Sequence, residues 1–100
     1  MTEKQFMEAV LDAARTFGWM AYHTFDSRRS TGGFPDLVMV KPPRVLFVEC
    51  KSAKGRVTAD QEEWLAALAG CEWPETYLWR PDDMSSIVAL LSEGNAKVAV

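Results

Sequence analysis

The chain is short of the residues on which many catalytic and structural devices depend. Histidine occurs once, at His23, so a histidine general base or a Ser-His-Asp relay would have to be built on that residue alone. Its position in a short apolar run reads instead as a strand residue beside a sheet. The two cysteines, Cys50 and Cys71, have neither CxxC nor Cys/His spacing, which argues against a disulfide framework or a zinc site and for two reduced thiols. No hydrophobic run approaches the length of a membrane helix, and Met1-Thr2-Glu3-Lys4 lacks the apolar core of a signal peptide, so a cytoplasmic protein with no membrane partner is expected. Repeats, linkers and low-complexity segments are missing too. A chain of 100 residues, 48% of them hydrophobic, fits one globular domain over 1–100, with its core in about 3–91 and a short tail at 94–100.

Charge is unevenly spread. The net charge is −3, which taken whole argues weakly against a polyanionic partner. Residues 28–56, however, hold seven cations (Arg28, Arg29, Lys41, Arg44, Lys51, Lys54, Arg56) against Asp36 and Glu49, a net +5, while the remainder carries four cations and twelve acids, a net −8. A basic middle flanked by acidic helices suits a polyanion approaching one face. Solvated loop charges are the alternative reading.

Thr2-Glu3-Lys4-Gln5 has the capping-box spacing, and Phe6, Val10, Ala13, Ala14 and Phe17 then recur at helical intervals up to Gly18, which predicts a helix over 3–17. Trp19 to Thr24 reads as a first strand. Thr58-Ala59-Asp60-Gln61 repeats the capping box and opens a helix over 59–69, followed by a strand over 76–79. A third helix starts at a cap on Asp82 or Asp83 and stops at Gly94. The predicted order is α-β-β-β-α-β-α: an α/β (α+β) fold with a mixed four-stranded sheet flanked by helices, its hairpins antiparallel and the piece from 44 to 79 a right-handed crossover.

The stretch that resists a purely structural reading runs from Gly32 to Lys51. Two apolar runs short enough to be strands are separated by Lys41-Pro42-Pro43-Arg44, which can only be a turn. Yet Asp36 opens the first run, and Glu49 and Lys51 close the second. Buried charge requires a partner or a purpose. If Val40 and Val45 close the loop symmetrically, opposed residues sum to 85 and Asp36 lies across from Glu49, with β-carbons about 5 Å apart. Lys51 then shares their face and Cys50 points to the other. An odd-numbered loop would shift the pairing by one residue and separate the carboxylates.

Asp36, then twelve intervening residues and Glu49-Cys50-Lys51, resembles the PD-(D/E)xK nuclease signature. The segments Gly33-Phe34-Pro35-Asp36-Leu37-Val38, Val48-Glu49-Cys50-Lys51 and Gln61-Glu62-Glu63-Trp64 resemble more narrowly the VRR-NUC branch, especially its small stand-alone phage-type members, over about residues 3–91. The resemblance implies a restriction-endonuclease-like core, and a nuclease of bacterial or phage origin acting in the cytoplasm. The residue types suit that chemistry: hydrolysis of a phosphodiester requires an activated water and a stabilised pentacovalent phosphorus, both of which Mg²⁺ or Mn²⁺ on oxygen ligands supplies. Asp36 and Glu49 are the expected ligands, and by the family's pattern the backbone carbonyl of Cys50 joins them. Lys51 would orient the attacking water or neutralise charge at the phosphate. No organic cofactor is implied.

Two helical residues have competing readings. Glu8 lies off the apolar stripe of the first helix and reads either as a solvated side chain or, by resemblance to the family, as the first-helix glutamate that reaches the metal, with Glu3 and Asp12 its rivals. A third carboxylate there would allow a second ion about 4 Å from the first. Gln61 is either the capping partner of Thr58 or, as in the family, a companion of the catalytic lysine. Arg28, Arg29, Ser30, Lys54 and Arg56 are the expected DNA contacts, through phosphates rather than base edges. Trp64 and Trp73 are candidates for a subunit interface.

The resemblance further implies a homodimer that resolves four-way (Holliday) junctions by paired cuts, two sites related by a twofold axis. Flap cleavage or nicking would use the same residues. A catalytically silent DNA- or protein-binding module on this fold, and an unrelated domain whose hairpin charges form a structural ion pair, are the competing classes.

Overall fold

The computed structural model describes residues 1–24 and 32–98, and the side chains among them up to Glu93. Helix α1 spans Glu3–Thr16. Its start is the expected capping box: the Thr2 hydroxyl accepts from the Gln5 N–H at 3.1 Å while the Gln5 carbonyl accepts from the Thr2 N–H at 2.9 Å. Gly18, at φ 84°, takes the left-handed conformation that turns the chain out of the helix. Strands β1 (Met20–His23), β2 (Leu37–Lys41) and β3 (Arg44–Cys50) follow, then α2 (Ala59–Ala69), β4 (Glu75–Trp79), a 3₁₀ turn (Pro81–Asp83) and α3 (Met84–Val98).

The sheet order is β1-β2-β3-β4. The first two pairs are antiparallel and the last is parallel, so α2 is the crossover between β3 and β4 and the sheet is mixed as expected. Phe6, Val10 and Ala14 of α1, Ile87 and Leu91 of α3, and Leu37, Met39, Leu46, Val48 and Cys50 of the central strands form one core with Trp19 and Trp79. Phe47 alternates with these strand residues and therefore faces the other side. There Phe34 meets it edge-on at 6.1 Å between ring centroids, and Trp64 of α2 meets Phe34 at 5.1 Å. Helices α1 and α3 thus cover one face of the sheet, and α2 covers the end of the opposite face. Met20 and Tyr22, on edge strand β1, stay exposed.

One boundary differs from expectation by more than a residue. Helix α3 does not stop at Gly94 but continues to Val98. Glycine inside a helix costs only about 1 kcal/mol, and it ends a helix where the chain also takes the left-handed turn. The residues expected to form a tail therefore include part of α3. Of the four tryptophans, Trp19 and Trp79 are buried, Trp64 is half-buried against Phe34, and Trp73 is 69% exposed.

Candidate active site

The β2–β3 hairpin positions the site. Val40 pairs with Val45 and Lys41 with Arg44, leaving Pro42 and Pro43 as a two-residue turn. Opposed residues sum to 85, so an even loop fixes the register that places Asp36 and Glu49 on one face. Backbone pairing reaches Leu37–Val48. Just beyond it, the Asp36 carboxylate accepts the Cys50 N–H at 2.9 Å, while the Asp36 carbonyl accepts from Thr24 at 2.8 Å. Asp36 is thereby fixed between β1 and the end of β3. Gly33 sets the approach from the other side. At φ 94°, a Cβ on it would stand 2.6 Å from the Asp60 backbone, so only glycine lets the segment before Asp36 lie against the first turn of α2.

Glu49 is 1% exposed and Lys51 8%. The Lys51 ammonium stands 3.6 Å from Glu49 Oε2, an ion pair rather than a close hydrogen bond. Gln61 donates to the same oxygen at 2.9 Å. Among the described residues, Glu49 Oε1 is buried without a hydrogen-bond partner. Burial pushes the Glu49 carboxyl up to about 7, the Asp36 charge adds to the rise, and Lys51 and the Asp36 backbone N–H oppose it. A buried carboxylate oxygen without a donor, beside a second carboxylate, is costly unless a cation is bound there. Asp36 and Glu49 therefore fit a hard divalent ion. Among the described residues no group of three His, Cys, Asp or Glu side chains could hold a metal. That leaves two carboxylates, with backbone, water and phosphate oxygens for the remaining positions, a donor set suited to Mg²⁺.

Gln61 does both jobs that the sequence set against each other. Its carbonyl oxygen accepts from the Thr58 N–H at 2.9 Å, closing the capping box of α2, and its amide nitrogen donates to Glu49. The two ends of one amide connect the start of a helix to the site.

The first-helix carboxylates separate by face. Glu8 is exposed on α1. Glu3 is half-buried and lies on the stripe that continues through Phe6, Met7 and Val10, about 140° around the helix from Glu8. Burial raises the Cys50 thiol far above its ordinary range, and the charges of Asp36, Glu49 and Glu3 add to the rise. Glu3 is thus a first-helix acid whose charge reaches the end of β3.

The basic segment divides in two. Lys41 donates to the Phe17 carbonyl, and Arg44 pairs with Glu75, both at the turn end of the hairpin. Lys54 and Arg56 are exposed on the loop that leaves Lys51. Arg28, Arg29 and Ser30 lie outside the described residues. Sequence reasoning passed over Arg80, whose guanidinium donates to the Ser52 and Gly55 carbonyls of that loop at 2.7 and 2.8 Å. Its signal is faint: an arginine between a strand and a Pro-Asp-Asp turn.

A carboxylate pair and a lysine at the end of a β-hairpin, on a mixed sheet flanked by helices, define a PD-(D/E)xK-type nuclease domain. The chain belongs to the VRR-NUC family of that superfamily: the model of the VRR-NUC domain matches residues 2–78, from the cap of α1 into β4. No curated protein and no solved structure matches the chain. Membership in a nuclease family makes DNA the substrate class.

Proposed function

We propose that this chain is a divalent-metal-dependent endodeoxyribonuclease that cuts structured DNA, and that it resolves four-way junctions as a homodimer. The observation that carries the metal-dependent reading is Glu49: buried, close to Asp36 and Lys51, and left with one oxygen unpartnered. Asp36 and Glu49 would hold Mg²⁺ or Mn²⁺, with the Cys50 carbonyl and a first-helix carboxylate, Glu8 or Glu3, as further donors. Bound there, the ion would lower the pKa of water and polarise the scissile phosphate.

The protein's own residues do the rest. Asp36, fixed by the Cys50 N–H, and Glu49, fixed by Gln61, keep their carboxylates in place before substrate arrives, which lowers the reorganisation required at the moment of reaction. Lys51 sits where it can orient the attacking water and offset the charge that develops as the water oxygen bonds to phosphorus and the opposite P–O bond breaks. Its largely buried ammonium acts in a site of reduced dielectric, where such an interaction is worth more than in water. Lys54 and Arg56, exposed beside it, would meet flanking phosphates, as would Arg28, Arg29 and Ser30.

A homodimer follows from the task. One chain carries one site, and symmetric cuts in two strands require two sites related by a twofold axis. The test is incubation of the purified protein with labelled four-way junction, flap and linear duplex in Mg²⁺, Mn²⁺ or EDTA, with the cuts mapped. Paired symmetric nicks in the junction, abolished by EDTA, are expected. Cuts confined to flaps or single nicks would move the substrate assignment, and no cleavage with either metal would favour a binding module on this fold.

A further inference from the structure

The loop that follows Lys51 is held by a residue outside the family-matched segment. Ser52 and Gly55 close a tight turn, the Gly55 N–H donating to the Ser52 carbonyl at 3.2 Å. The turn lies over the lysine stem: a Cβ on Gly55 would stand 3.5 Å from Lys51 Cδ and 2.9 Å from the Ser52 hydroxyl. One nitrogen of Arg80, Nη1, donates to both ends of this turn, to the Ser52 carbonyl at 2.7 Å and the Gly55 carbonyl at 2.8 Å. Arg80 is itself fixed. Its backbone N–H donates to the Asp83 carboxylate at 2.9 Å, and the preceding Trp79 carbonyl accepts the Lys51 N–H at 3.0 Å. The junction of β4 with the 3₁₀ turn thus grips the chain on both sides of the Lys51 side chain.

We infer that Arg80 is a positioning residue for DNA cleavage: by clamping the Ser52–Gly55 turn it holds the Lys51 ammonium beside Glu49 and sets where Lys54 and Arg56 meet the substrate. This rests on the nuclease reading above. Carbonyl groups use the donors of the guanidinium without neutralising its charge. They use them in a fixed geometry that a point-like ammonium reproduces only in part. Released from the clamp, the turn would leave the lysine stem free to leave its place, and a displacement of about 1 Å at a reacting group costs up to about a hundredfold in rate.

The test compares wild type with Arg80→Ala and Arg80→Lys, with thermal melting to verify folding. The readouts are kcat and KM on the DNA that the wild type cuts, the salt dependence of DNA binding, and amide exchange at Gly55. For Arg80→Ala we expect kcat lower by about tenfold, faster Gly55 exchange, and a log-log salt slope unchanged from wild type. Arg80→Lys should recover part of the loss in kcat. A slope smaller by about one would mean that Arg80 binds a phosphate directly, and would overturn the positioning role, as would an unchanged kcat. Should Arg80→Ala not fold, the same criteria apply to Arg80→Lys, whose kcat must then fall below wild type. Wild-type protein that cuts no DNA would overturn the nuclease reading and this role with it; with an active wild type, Gly55 exchange unchanged in Arg80→Ala would overturn the clamp alone.

Discussion

The two ends of strand β3 treat a carboxylate in opposite ways. At the turn end, Glu75 of the neighbouring strand takes two hydrogen bonds from Arg44, at 2.6 and 2.7 Å, and a third from the Tyr77 hydroxyl at 2.6 Å. Arg44 in turn lies over the Trp19 ring and reaches the Leu90 carbonyl, so that one ion pair joins the sheet to α3. At the other end, about 17 Å along the strand from Arg44, Glu49 has one side-chain amide donor, a lysine at 3.6 Å, a neighbouring carboxylate and, among the described residues, an oxygen without a hydrogen-bond partner. The pKa directions follow: Glu75 raises that of Arg44, burial and then the Glu75 hydrogen bond push the Tyr77 phenol up to about 12, and burial pushes Glu49 itself up to about 7. One end is satisfied within the chain. The other keeps a buried oxygen without a partner among the described residues, which a strut does not.

The sharpest way to break the comparison is to substitute each acid. Glu49→Gln keeps the shape and should lower cleavage about a thousandfold or more, because it removes a ligand and the charge that holds Lys51; Lys51→Ala should do likewise. Both proteins should fold and still bind branched DNA in gel-shift assays. Cleavage near the wild-type rate in either variant would sink the site assignment. Removing the metal with EDTA should abolish cutting in the wild type, and added Mg²⁺ or Mn²⁺ should restore it.

Stability should respond in the opposite sense. For Glu49 the folded-state pKa, about 7, lies above the ordinary 4.5. The fold therefore favours the protonated acid, and stability is greatest below the unfolded value, falling as pH rises from about 4.5 to about 7. The loss amounts to about 2–3 kcal/mol in metal-free protein. Urea melts across that range in EDTA should show the slope, and Mg²⁺ or Glu49→Gln should flatten it. A slope equally steep in Glu49→Gln would place its origin elsewhere. Glu75→Gln instead strands a mostly buried Arg44, whose side chain is 16% exposed, and should cost about 2 kcal/mol at neutral pH without changing kcat.

Much of this arrangement is legible in the residues, and the reasons are local. Lys41-Pro42-Pro43-Arg44 admits only a short turn, so the pairing that brings Asp36 to Glu49 follows from turn length alone. The two Thr-x-x-Gln boxes start α1 and α2 where they stand because capping chemistry acts over three residues. Features that depend on what the fold brings together are less visible. The cations of 28–56 look like one patch, yet Lys41 and Arg44 lie at the turn end of the β2–β3 hairpin, away from the carboxylates, and are used structurally. Gly94 looks like a stop because sequence does not show whether the chain takes the left-handed turn. Arg80 has no motif, since its partners are carbonyl groups, which every residue carries.

Gln61 is where the local and the long-range readings meet, and it supports the finest test. Thr58→Ala removes the hydroxyl that accepts the Gln61 N–H at 3.2 Å but leaves the Gln61 amide free to reach Glu49. It should cost about 1 kcal/mol in stability, with cleavage near the wild-type rate. Gln61→Ala removes the reciprocal cap and the donor to Glu49 together, so a similar loss of stability should come with cleavage lower by about tenfold. Melting temperature and kcat measured on both variants separate the two ends of one amide. If Thr58→Ala lowers cleavage as much as Gln61→Ala, the glutamine acts on the site only by holding the helix. If Gln61→Ala alone does so, its hydrogen bond to Glu49 is what completes the carboxylate that the rest of the chain leaves unsatisfied.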